Sequence, residues 1–122
     1  MSHIEKRKHL RLKAIRSMAL VNKQNGALIG HLENISVGGM MLMSASPQAV
    51  GQELDVNLFL GKSIDGEVAV RCRVCCVWSG ENLWRESDPS KKYCTGLEIT
   101  SISDNELEAF LAVIETLEEV SR

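Results

Sequence analysis

Between residues 67 and 78, apolar side chains occupy every second position. Val68, Val70, Cys72, Val74, Cys76 and Trp78 form one set, and Arg71, Arg73 and Cys75 fall between them. An alternation of period two marks a strand with one buried face and is hard to obtain from a helix. The pattern predicts a strand over 67–78 with the first set turned inward. Residues 53–60 read the same way, with Leu54, Val56, Leu58 and Leu60 on one face. Residues 12–21 look extended, and Asn25-Gly26 then gives a strong hairpin signal, because a tight type I′ turn wants positive φ at both central residues. A second strand is expected over 27–35, broken by Gly38-Gly39, and a third from Met40 to Met43. After a polar loop over 79–92, residues 93–99 form a last strand with Leu97 and Ile99 inward. The period then changes. Leu107, Phe110, Leu111, Ile114 and Leu117 fall at helical spacing, and Ser103 with Glu106 fits a capping box. About six short strands and one terminal helix, over about 103–120, predict a mostly β protein: a small antiparallel barrel whose side or end the helix covers.

A length of 122 residues suits one domain. Aromatic residues make up only 4% of the chain, so aliphatic side chains and Met must fill the core. No stretch approaches the roughly 20 apolar residues that cross a bilayer. The basic start of the chain lacks the apolar segment of a signal peptide, which points to the cytoplasm. Cys72, Cys75, Cys76 and Cys94 are then expected to be free thiols.

The net charge of −2 conceals an asymmetry. Lys6, Arg7, Lys8, Arg11, Lys13 and Arg16 face Glu5 alone among residues 1–16, whereas residues 103–122 hold six carboxylates against Arg122. A basic head suits an anionic ligand or partner, or simply a solvated tail.

The search for catalytic groups is negative. His3, His9 and His31 have no partner at metal-ligand spacing, and Ser36 lies in no nucleophile elbow. Cys72 and Cys75 have a C-x-x-C spacing, but residues three apart in a strand point to opposite faces, so no metal is expected there. The carboxylate pairs cluster on the terminal helix, where a solvated face accounts for them.

Two short motifs are more specific in combination. Arg7 and Arg11 form an R-x-x-x-R in the basic arm. Asn34, Ser36 and Gly39 form an N-x-S-x-x-G at a strand end, one hairpin later. This pair, in this order, resembles the PilZ family. Gly38-Gly39-Met40-Met41-Leu42, the strand ending in Trp78, and Gly96-Leu97-Glu98-Ile99 look like its further landmarks. The resemblance covers nearly the whole chain. It implies a six-stranded antiparallel β-barrel with a C-terminal α-helix, an arm over 1–11 and a barrel domain over 12–122.

The ligand it implies is cyclic di-GMP, bound by Arg7, Arg11, Asn34, Ser36 and Gly39, in a bacterial receptor that has no catalytic activity and signals to a partner protein. The chemistry suits these residues. An Arg fork matches phosphate or the guanine O6/N7 edge and stacks on a base. Asn34 and Ser36 offer donors and acceptors from one side of a strand, and Gly39 permits close approach or positive φ. The arm is expected to be loose when empty and ordered around the ligand. A nucleotide-independent interaction adaptor is the alternative reading. A small nucleic-acid-binding barrel is a weaker one, since it needs stacking aromatics on its strands and most of the few available read as core or loop. Trp84, in the polar loop, reads as folded back on the barrel or as a partner anchor.

Overall fold

The computed structural model describes residues 12–13, 18–60, 67–83 and 88–121. In chain order these form β1 (Leu12–Lys13), β2 (Met18–Asn22), β3 (Leu28–Ser36), β4 (Gly39–Ser44), β5 (Glu53–Leu60), β6 (Val68–Glu81), a 3-10 turn (Pro89–Lys91), β7 (Tyr93–Ser101) and α1 (Asp104–Ser121). Every pairing among the described residues is antiparallel. The order β3-β2-β5-β6-β7-β4 closes on itself because β4 also pairs with β3, giving a six-stranded barrel. The two-residue β1 lies on β3 beyond the end of β2, with Leu12 opposite Ile35 and Lys13 opposite Asn34.

The hairpin forms where Asn25-Gly26 places it, but its turn is wider than two residues. The Asn22 N–H donates to the Ala27 carbonyl at 2.9 Å, and the Gly26 N–H to that of Asn22 at 2.8 Å. The side-chain oxygens of Asn22 and Asn25 accept the backbone N–H groups of Gln24 and Ala27. These side chains satisfy donors that the wider loop takes out of the ladder, and Gly26 supplies a positive φ, of 72°.

Bulges shape the barrel. The register skips one residue at Ile29, Glu33, Ala69, Val77 and Thr100. Each skip reverses the inward and outward phase of the residues beyond it. The central stretch of β6 keeps its expected face, with Val70, Val74 and Cys76 at 1% exposure or less. Its two ends do not. Beyond the bulge at Ala69, Val68 packs with Phe59, Ala19 and Val21 in a second cluster on the outer surface. Beyond the bulge at Val77, Trp78 also turns outward and is 41% exposed. The loop assigned to 79–92 is correspondingly shorter, since β6 runs on to Glu81.

Helix α1 covers one barrel end. Phe110 is completely buried among Leu20, Ile35, Met40, Val56 and the other core side chains, and Val113 sits beside it. Ala109 and Ile114 border this contact, while Leu107 and Leu111 remain exposed. The expected apolar face is therefore off-centre: a small barrel mouth admits one large side chain, and positions on the flank of the stripe miss it.

The capping box is half formed. The Ser103 hydroxyl accepts the Glu106 N–H at 3.3 Å, but the Glu106 carboxylate reaches across to β6. There its Oε1 accepts the backbone N–H of Arg71 at 2.7 Å, and its Oε2 lies 3.6 Å from the Arg71 guanidinium. The β7 ladder stops at the Arg73–Ser101 pair, so the Arg71 N–H lies beyond it and depends on the helix. Glu106→Ala is expected to cost about 1–3 kcal/mol, the range for depriving a backbone donor of a charged acceptor. Urea unfolding should register this as a lower midpoint at unchanged slope.

Candidate ligand-binding face

The N-x-S-x-x-G residues occupy the β3–β4 hairpin, where Val37-Gly38 makes the turn and Ser36 pairs with Gly39. The bulge at Glu33 decides which way they point. It lets both Leu32 and Ile35 enter the core, three residues apart, and so sets Asn34 and Ser36 on the opposite side of the strand. Asn34 is half-buried, with its Nδ2 3.8 Å from the Met41 sulfur, and Ser36 is buried.

Gly39 has no positive φ. It is demanded by close approach instead: a Cβ there would lie 2.2 Å from the Leu97 carbonyl oxygen of β7. The crowding that requires glycine thus already exists within the barrel wall.

The register extends this face into a grid across β3, β4, β7 and β6. One row holds Ser36, Gly39 and Glu98. The next holds Asn34, Met41, Gly96 and Trp78. A third holds His31, Met43, Cys94 and Gly80. The Trp78 indole lies directly over Gly96, where an added Cβ would meet its Nε1 at 2.1 Å. An exposed indole in the Asn34 row can stack a base. Alternation counting missed it because the bulge at Val77 leaves no mark in a run of apolar residues.

Arg7, Arg11 and Trp84 lie outside the described residues. Leu12, the residue after Arg11 in sequence, has its backbone paired with Ile35, between Asn34 and Ser36.

Cys72 and Cys76 behave as packing groups. Cys72 borders the core and Cys76 is inside it, on the opposite side of β6 from Cys75. Burial, helped by the Glu106 carboxylate, pushes the Cys72 thiol up to about 11. Below pH 9 both folded and unfolded chains keep it protonated. Between pH 9 and about 11 the unfolded chain ionises first, so folding stability falls with rising pH. Native labelling with iodoacetamide at about pH 8 is expected to spare Cys72. A Cys72→Ala variant should lose less stability between about pH 8 and 10.5 than the parent chain.

A family model described as the PilZ domain matches residues 5–115. The chain belongs to the PilZ domain family. Its fold agrees with solved structures at low identity. The PilZ domain of YcgR from Escherichia coli, solved with c-di-GMP, aligns at a TM-score of 0.70 and 15% identity, over 96% of this chain and 95% of that one. The Bacillus subtilis inhibitor of motility MotI/DgrA aligns at 0.67 and 18%, over 96% of this chain and 53% of that one. MrkH, described as a c-di-GMP-dependent transcription regulatory factor, aligns at 0.66 and 17%, over 91% and 50%. This PilZ domain thus spans about half of the latter two proteins. No curated protein matches it.

Proposed function

We propose that this PilZ domain is a cyclic di-GMP receptor that orders residues 1–11 around the nucleotide and presents the altered surface to a partner protein. It binds and signals without catalysing a reaction. The observation that carries the reading is the hairpin edge. Asn34 and Ser36 share one outward side of β3, and β1 hydrogen-bonds alongside them, tying the segment just after Arg11 to the same place. Family membership and the c-di-GMP named for two YcgR structures and for MrkH support the ligand.

In this reading Asn34 and Ser36 take a guanine edge, and Arg7 and Arg11 take phosphate and guanine through bidentate forks. Trp78 supplies an apolar wall farther along the Asn34 row, over Gly96. The helix lies against β1 as well as β6, so ordering of the chain before Leu12 has a route to α1.

Titration calorimetry with cyclic di-GMP tests the proposal. Binding at micromolar affinity or tighter is expected. Arg7→Ala and Arg11→Ala should each weaken it by ten- to a hundredfold, the equivalent of about 1.5–3 kcal/mol for a charged hydrogen-bonding group, and the double variant should show no heat. Hydrogen exchange over residues 4–12 should slow on saturation. Absence of heat with the parent chain at high concentration would leave the nucleotide-independent adaptor as the better account.

A further inference from the structure

The third row of the outer grid has a composition of its own. His31 is the direct partner of Met43 across β3 and β4, and Met43 is the direct partner of Cys94 across β4 and β7. Directly opposed residues of antiparallel strands hold their Cβ atoms about 4.5–5.5 Å apart on one face. An imidazole, a thioether and a thiol therefore stand in line. All three are half-buried, and the Cys94 Sγ is only 3.3 Å from the Met43 Sδ.

The thioether is also oriented from behind. Asn82 is 6% exposed, and its Nδ2 donates to the Lys91 carbonyl at 2.9 Å and approaches the Met43 sulfur at 3.5 Å. The Cys94 thiol donates to the same sulfur from within the row, so a cation that displaces the thiol proton would sit between the two sulfurs. The amide thus restricts how the thioether can turn.

We propose that His31, Met43 and Cys94 form a three-coordinate site for a soft monovalent cation, Cu(I). Thiolate and thioether sulfur select Cu(I), and imidazole suits it as a third donor. Zinc fits poorly, because its protein ligands are thiolate, imidazole and carboxylate, usually four together. Among the described residues, no group of three or more His, Cys, Asp or Glu is placed to hold a metal, so the methionine is essential to the assignment. Binding replaces the thiol proton by the metal: Cu(I) adds to sulfur, the S–H bond breaks, and one proton leaves to solvent, with no change of oxidation state.

Anaerobic Cu(I) titration of the full chain against a chromophoric competitor tests this, with Ag(I) in native mass spectrometry as a second probe. One tightly held ion per chain is expected. Cys94→Ser and Met43→Leu should each weaken it by at least about a hundredfold, beyond the 10–100-fold typical of groups that only orient a ligand, whereas Cys75→Ser should leave it unchanged. Equal affinity in Met43→Leu, or loss only in Cys75→Ser, would overturn the proposal. X-ray absorption on the parent chain removes dependence on how the variants fold. A mixed nitrogen and sulfur shell of three donors supports the site, and an all-thiolate shell refutes it.

Discussion

Replacing Phe110 with alanine is expected to destabilise the fold by about 3–5 kcal/mol, the range for truncating a fully buried aromatic side chain. Phe110 is the largest side chain with no exposed surface, and it is the point at which α1 enters the barrel. Its neighbours belong to several strands that β-ladders already hold in place, so the surrounding wall has little freedom to collapse into the space. Loss on this scale is a large part of the roughly 5–15 kcal/mol typical of a domain. The outward positions on the same helix provide the contrast. Leu107→Ala and Leu111→Ala, both at exposed sites, should stay within about 0.5 kcal/mol. Thermal and urea unfolding of the three variants would decide the matter. A Phe110→Ala protein as stable as Leu107→Ala would mean that the helix does not plug the barrel.

The second large effect concerns Gly39. Gly39→Val should cost more than about 3 kcal/mol, above the 1–3 kcal/mol usual for overpacking a core, because the atom in the way is the Leu97 backbone carbonyl. A side chain can rotate aside, but a carbonyl in a ladder cannot move without parting β4 from β7 at the Gly39–Glu98 pair. Gly80 is the control, with open space around its notional Cβ and no positive φ. Gly80→Ala should be neutral or stabilising by up to about 1 kcal/mol, through the reduced freedom of the unfolded chain. If Gly39→Val keeps its melting temperature and loses only nucleotide affinity, the glycine serves the ligand alone. Loss of both is expected, since one position shapes the wall and the candidate face together.

These two residues also mark what a single sequence can disclose. The strands over 53–60 and 67–78, the hairpin at Asn25-Gly26 and the terminal helix were legible because periodicity and turn chemistry are local. Asn34, Ser36 and Gly39 were legible as a motif, and the wall of the barrel carries them. Hidden were the consequences of counting across bulges. Val68 and Trp78 look like members of the Val70–Cys76 face until the skipped residues at Ala69 and Val77 turn them outward. One clue was available. Leu32 and Ile35 are both aliphatic and three apart in a strand, which period two cannot satisfy without an inserted residue. The partner of Glu106 was not legible at all. Ser103 offered a local answer, and the Arg71 N–H becomes available only once the sheet has closed.

The bulges have a further consequence for aligning distant sequences. At 15–18% identity to the solved structures, amino-acid matches alone cannot fix where a one-residue gap belongs. A gap placed one strand too early exchanges lumen and exterior for every position up to the next gap. Gap penalties relaxed at Ile29, Glu33, Ala69, Val77 and Thr100, and raised within the ladders between them, would keep Asn34 matched to surface positions and Ile35 to core positions. Substitution profiles built that way would separate pressure from the core from pressure from whatever the outer surface meets.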